Sequence, residues 1–148
     1  MALSPILSII IPTLREEQFL ERTLKNLDSL QIPHEIIITD GGSKDRTLDI
    51  ARAHGAKITV WDQPRRQTFG EAKNAGAALA TGTFLVFIDA DVLIPEPQKF
   101  FEEALSAFKN NQKLAGITVP LLPWPENHSL VDAFFCAPLN WSYVIFNN

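Results

Sequence analysis

Along most of this chain, apolar β-rich runs alternate with stretches of helical spacing, and that alternation constrains it to a mostly parallel α/β sheet. The runs are Leu7–Ile11, Glu35–Thr39, Lys57–Trp61 and Thr83–Ile88, with a fifth at Leu114–Val119. Pro12 is expected to stop the first. Leu20, Leu24, Leu27 and Gln31 recur at helical spacing with Leu30 close by, so Glu16–Leu30 reads as an amphipathic helix closed by Pro33. Ser43 is placed to N-cap a helix running from Lys44 or Asp45 to His54, with Gly55 as its C′ residue. Glu71–Ala80 is alanine-rich and helical, closed by Gly82. Pro95 and Pro97 open a last helix whose core face is Phe100, Phe101, Ala104, Leu105 and Phe108.

A length of 148 residues suits one domain, with 1–119 as its core and 120–148 as an irregular apolar tail. Hydrophobic residues make up 46% and charged residues 20%, as in a soluble globular protein. With a net charge of -4 and Arg65-Arg66 as the one adjacent basic pair, nucleic acid is excluded as the main partner. Cys136 is the sole cysteine, so no internal disulfide forms; its neighbours Phe134, Phe135 and Ala137 suit a buried structural thiol. Leu3–Ile11 lacks the basic region and cleavage site of a signal peptide, and no stretch is long and apolar enough to span a bilayer. A cytoplasmic chain is expected, with the inner membrane face open to it through the tail. That tail carries Pro120, Pro123 and Pro125, then Phe134, Phe135, Trp141, Tyr143 and Phe146. Such a segment suits a plain core piece, packing on further sequence, self-association or a membrane surface.

The fourth run ends in Asp89-Ala90-Asp91. If strand geometry held to its end, both carboxylates would face one side, where two hard oxygen donors suit a divalent cation that in turn holds phosphate oxygens. A D-x-D pair taken alone more often shapes a turn. In an open parallel sheet, however, ligands sit beyond the carboxyl ends of the strands. Pro12–Glu16, Asp40–Ser43 and Asp89–Asp91 all fall there, each after a different strand.

The ordered set Pro12-Thr13-Leu14-Arg15-Glu16-Glu17, Asp40-Gly41-Gly42-Ser43-Lys44-Asp45-Arg46-Thr47, Gly70-Glu71-Ala72-Lys73-Asn74-Ala75-Gly76 and Asp89-Ala90-Asp91 resembles the donor-binding half of a family 2-like glycosyltransferase of GT-A fold, over roughly Ser8–Val119. The resemblance implies a Rossmann-like, mostly parallel sheet with flanking helices, incomplete at its C-terminus. It implies a nucleoside-diphosphate sugar as donor, an acceptor hydroxyl on a saccharide, small molecule or lipid, and Mg2+ or Mn2+ as cofactor. Pro12, Thr13, Leu14 and Glu16 would cradle base and ribose. Asp40 and Gly41 would form the turn beside the base, Lys73 would lie near the diphosphate, and Asp89 and Ala90 would approach the ribose. Asp91, with Asp89, would hold the metal.

Three departures stand out. Arg15 occupies a position where the family often has Asn. Gly41 occupies one where many members have a second acid. Arg65 and Arg66 lie in the loop before the donor helix, where a phosphate contact fits but is unassigned. Apart from these departures, Glu71 would oppose an anion at that helix's N-terminus. Glu126 and Asp132 do not match the family's general base, which is expected beyond Asn148. The chain thus reads as a donor-binding half: a truncated piece, a fragment of a longer enzyme, or a divergent short member. The competing readings are a non-catalytic nucleotide-sugar-binding module and, lower, a haloacid dehalogenase-type phosphatase, whose D-x-D usually follows the first strand.

Overall fold

The computed structural model describes residues 4–119 and the backbone of 143–147. Cys136 and most of the apolar tail, with Glu126 and Asp132, lie outside the described residues. Strands β1 (Leu7–Thr13), β2 (His34–Asp40), β3 (Lys57–Val60) and β4 (Phe84–Phe87) alternate with helices α1 (Leu20–Leu27), α2 (Thr47–Ala53) and α3 (Phe69–Leu79). Helix α4 (Pro97–Asn110) then leads to β5 (Gly116–Val119), and β6 (Tyr143–Asn147) follows. The sheet order is β3-β2-β1-β4-β6-β5. β1 to β4 run parallel, while β6 is inserted antiparallel between β4 and β5. The expected mostly parallel sheet is present. Part of the expected irregular tail, Tyr143–Asn147, is instead a strand.

β1 is central and buried on both faces, which is why it reads as a nearly continuous apolar run. Its odd positions Leu7, Ile9 and Ile11 pack with Leu20, Leu24 and Leu27 of α1, Ile50 of α2 and Phe101 and Phe108 of α4. Its even position Ile10 packs with Ile37 and Phe87 beneath α3. Each fully buried Leu or Ile contributes about 1.5–3 kcal/mol. α3 approaches closely because residue 76 is Gly: a Cβ there would lie 2.3 Å from the Ile10 side chain.

Three boundaries differ from the sequence expectation for identifiable reasons. β1 runs through Pro12 to Thr13. The Ile10 carbonyl faces β4, accepting from Ile88 N–H at 3.1 Å, so Pro12 turns its nitrogen the same way, where β4 has ended and no donor is needed. α1 begins at Leu20 rather than Glu16 because the preceding loop is bonded to the loop after β2. Ser43 does not cap α2, which starts at Thr47; its hydroxyl is occupied elsewhere, and Asp45 Oδ1 accepts from Thr47 N–H at 3.1 Å instead.

Candidate active site at the carboxyl edge of the sheet

The loops after β1 and β2 are stitched to one another. Arg15 N–H donates to Ser43 Oγ and Glu16 N–H to Thr47 Oγ1, both at 2.8 Å. Arg15 takes φ +61°, left-handed backbone that Asn and Gly enter more readily than Arg. At the root of the stitch lies Asp40, 0% exposed. Its Oδ1 accepts from the N–H groups of Gly42 (2.9 Å) and Ser43 (2.7 Å), and its Oδ2 from the hydroxyls of Thr13 (2.9 Å) and Ser43 (2.6 Å). Four bonds fill a carboxylate's acceptor capacity. Asp40, expected in the turn beside the base, therefore braces that turn, and it is not itself on the lining of the cleft.

The D-x-D reaches its place by a turn, not by strand alternation. β4 ends at Phe87, and the chain turns at Ala90-Asp91, with Val92 N–H bonded to Asp89 C=O at 3.3 Å. Two side chains one helical turn apart on α1 fix it. Thr23 Oγ1 donates to Ala90 C=O at 2.7 Å; Asn26 donates to Ile94 C=O at 3.1 Å and accepts from Ile94 N–H at 2.8 Å.

Between these loops and the start of α3 lies a cleft of about 310 Å³, within the range of small-molecule sites. Pro12, Thr13, Leu14, Glu16, Gly41, Asp89, Ala90 and Asp91 all line it. Lys73 does not; its ammonium sits 5.7 Å from the centroid of the Phe87 ring.

The acidic wall carries uncompensated charge. Burial pushes the Glu16 carboxyl up, and the charges of Asp91, Asp45 and Asp89 push it further. Burial likewise raises Asp89; the Lys73 ammonium pulls it back, and Asp91 adds to the rise. Carboxylates that repel one another in a half-buried cleft are stabilised by a cation. Among the described residues no three His, Cys, Asp or Glu side chains form a metal cage. Mg2+ and Mn2+ do not require one: hard cations are commonly held by one or two carboxylates together with substrate phosphates. Asp89 and Asp91, oxygen donors in an electron-rich cleft, fit that mode.

The rest of the lining comes from residues that sequence reasoning left unassigned: Thr39, Arg66, Gln67, Thr68, Phe69 and Ala72. Thr68 and Glu71 form a capping box at the start of α3, legible as T-x-x-E before an alanine-rich run. Arg65 forks onto both Glu71 carboxylate oxygens and stacks on Trp61, whose indole N–H donates to Arg65 C=O at 2.7 Å. Arg65 and the Thr68 bonds hold the Glu71 carboxyl down at about 2. The negative charge expected to oppose an anion at this helix end is thus paired. Thr39 Oγ1 is the one buried side-chain polar atom without a hydrogen-bond partner among the described residues. Its cleft-lining position could have been read from period-two alternation with Ile37, had the face of α3 been known.

With this geometry in place, comparison with known proteins gives a consistent answer. The glycosyl transferase family 2 model matches residues 8–127. Validoxylamine A glucosyltransferase of Streptomyces hygroscopicus subsp. limoneus is 31% identical over 142 residues, covering 88% of this chain and 31% of that protein. The chain spans about a third of the length of that relative and of its counterpart from subsp. jinggangensis. A mannosyltransferase of Pyrobaculum calidifontis, solved with GDP-Man and Mn2+, superposes with TM-score 0.70 at 19% identity, over 98% of this chain and 45% of that one. Glucosyl-3-phosphoglycerate synthase of Mycobacterium tuberculosis, solved with UDP, gives 0.69 at 23% identity, over 97% and 57%. These superpositions show the GT-A type of fold. The family match covers most of the chain, and the chain belongs to glycosyl transferase family 2.

Proposed function

We propose that this chain binds a nucleoside-diphosphate sugar in the carboxyl-edge cleft and serves a metal-dependent, inverting glycosyl transfer. The observation that carries the reading is the placement of Asp89 and Asp91 together on the lining of one cleft, where burial and neighbouring acids raise the Glu16 and Asp89 carboxyls. Asp91, with Asp89, would hold Mg2+ or Mn2+. When bound, the cation stabilises the charge that develops on the departing nucleoside diphosphate.

The chain's own residues do the positioning. Base and ribose would lie against the stitched loop Thr13–Glu16 and the small Gly41, which line the cleft. Lys73 lies near enough to Asp89 to favour its ionised form. In the transfer, the acceptor oxygen forms a bond to the anomeric carbon while the bond to the diphosphate oxygen breaks. The electron pair leaves with the nucleoside diphosphate, and the acceptor proton passes to a general base that the described residues do not identify. The acceptor's class stays open among saccharide, small molecule and lipid. Among the described residues no helix is long and apolar enough to cross a membrane. The dehalogenase-type alternative is disfavoured because the D-x-D follows β4, not β1.

The test is calorimetric titration of UDP and GDP with and without Mn2+. One of the two is expected to bind with Mn2+, and Asp91→Ala is expected to lose that metal-dependent binding. Equal affinity of both proteins, with or without metal, contradicts the reading.

A further inference from the structure

Among the described residues, the cleft has one cationic side chain on its lining, and it is not the one that the family resemblance points to. Arg66 lines the cleft, whereas Lys73 lies off the lining, beside Phe87 and Asp89. Arg65 and Arg66 are adjacent but do different work. Arg65 is consumed: it forks onto Glu71, stacks on Trp61 and donates to Arg66 C=O at 3.3 Å. That lock ties the loop to the capped start of α3. Arg66 is exposed, and among the described residues its guanidinium has no ion-pair partner.

We propose that Arg66, which lines the same cleft as Asp89 and Asp91, is the cationic clamp for the donor's diphosphate. This rests on the donor reading above. A diphosphate carries charge on two phosphoryl groups. A cation held by the carboxylates offsets part of that charge, and a planar fork of N–H donors suits the remaining phosphate oxygens. The Arg65–Glu71–Trp61 lock fixes the backbone from which Arg66 projects, so less ordering is required on binding. Lys73 then acts on Asp89 and not on the donor.

The experiment compares wild type, Arg66→Ala, Arg66→Lys and Lys73→Ala in titrations with the nucleoside diphosphate that binds wild type, in Mn2+, and with the matching nucleoside lacking phosphates. Arg66→Ala is expected to weaken diphosphate binding by about tenfold or more and to flatten its salt dependence. Arg66→Lys should recover part of the loss, and nucleoside binding should not change. Lys73→Ala should cost less than Arg66→Ala. Unchanged diphosphate affinity in Arg66→Ala overturns the proposal. So does an equal loss for the bare nucleoside, or a Lys73→Ala loss that exceeds it. A wild type that binds neither UDP nor GDP removes the proposed function itself and this inference with it. Arg66 is exposed and anchors nothing among the described residues, so its variants are expected to melt with wild type.

Discussion

The two ends of the parallel sheet treat carboxylates in opposite ways. At the amino end, Glu35 is saturated. Ser8 Oγ (2.5 Å), Thr81 N–H (2.6 Å) and Thr81 Oγ1 (2.9 Å) donate to one oxygen, and the Lys57 ammonium lies 2.5 Å from the other. Burial alone would raise this carboxyl, but those partners outweigh it and hold it at about 2. At the carboxyl end, Glu16 and Asp89 are pushed upward by burial and by neighbouring acids. One end uses a carboxylate to join three strands. The other keeps carboxylates short of partners, a local cost to stability that suits a bound cation.

Glu35→Ala should break the first half of the comparison with the largest effect. It leaves Ser8, Thr81 and Lys57 without their acceptor and is expected to cost about 3 kcal/mol in urea unfolding, with nucleotide affinity unchanged once folded. In wild type the Glu35 contribution has a definite sign. Its folded value lies below the ordinary 4.5, so its stabilisation is full above that value and is lost as pH falls from about 4.5 to about 2. The raised Asp89 and Glu16 work in reverse: their penalty grows as pH rises through their elevated values.

Gly76→Ala tests the wall that α3 builds. A Cβ overlapping Ile10 must push the helix off β1, at about 2 kcal/mol by thermal melting and with weakened nucleotide binding. Thr39→Val removes a buried hydroxyl that has no partner, and is expected to raise stability by about 1 kcal/mol in denaturant titration. Asp89→Asn sharpens the contrast with Glu35: without metal it should melt above wild type at neutral pH, and with metal it should bind nucleotide less well. The smallest effect is expected for Arg15→Gly, which relieves left-handed backbone and should stabilise by about 0.5 kcal/mol.

Much of this organisation was legible in the sequence. The runs of β1, β2 and β4 are apolar because those strands are covered on both faces, and the acidic loops fall at carboxyl ends because parallel order places them there. The details that escaped depend on contacts between distant segments. The period-two argument for Asp89 and Asp91 assumed that the strand reached the acids, but β4 stops at Phe87 and a turn held by Thr23 and Asn26 delivers them. Asp40 looked like a ligand group although Gly42 and Ser43 stand beside it in sequence; only the Thr13 hydroxyl had to be brought to it by folding. Arg65 and Arg66 looked equivalent until Trp61 and Glu71 claimed one of them. The antiparallel insertion of Tyr143–Asn147 had no local signal that separated it from an apolar tail.

The central claim is that the carboxyl edge holds a cation on Asp89 and Asp91, and that this cation holds a diphosphate. A crystal structure of the chain with Mn2+ and the nucleoside diphosphate, recorded for manganese anomalous scattering, tests it most directly. The expected result is a peak bound by Asp91, with Asp89 alongside and phosphate oxygens completing the shell. Nucleotide seated in the cleft without that peak, or manganese bound elsewhere, would contradict it.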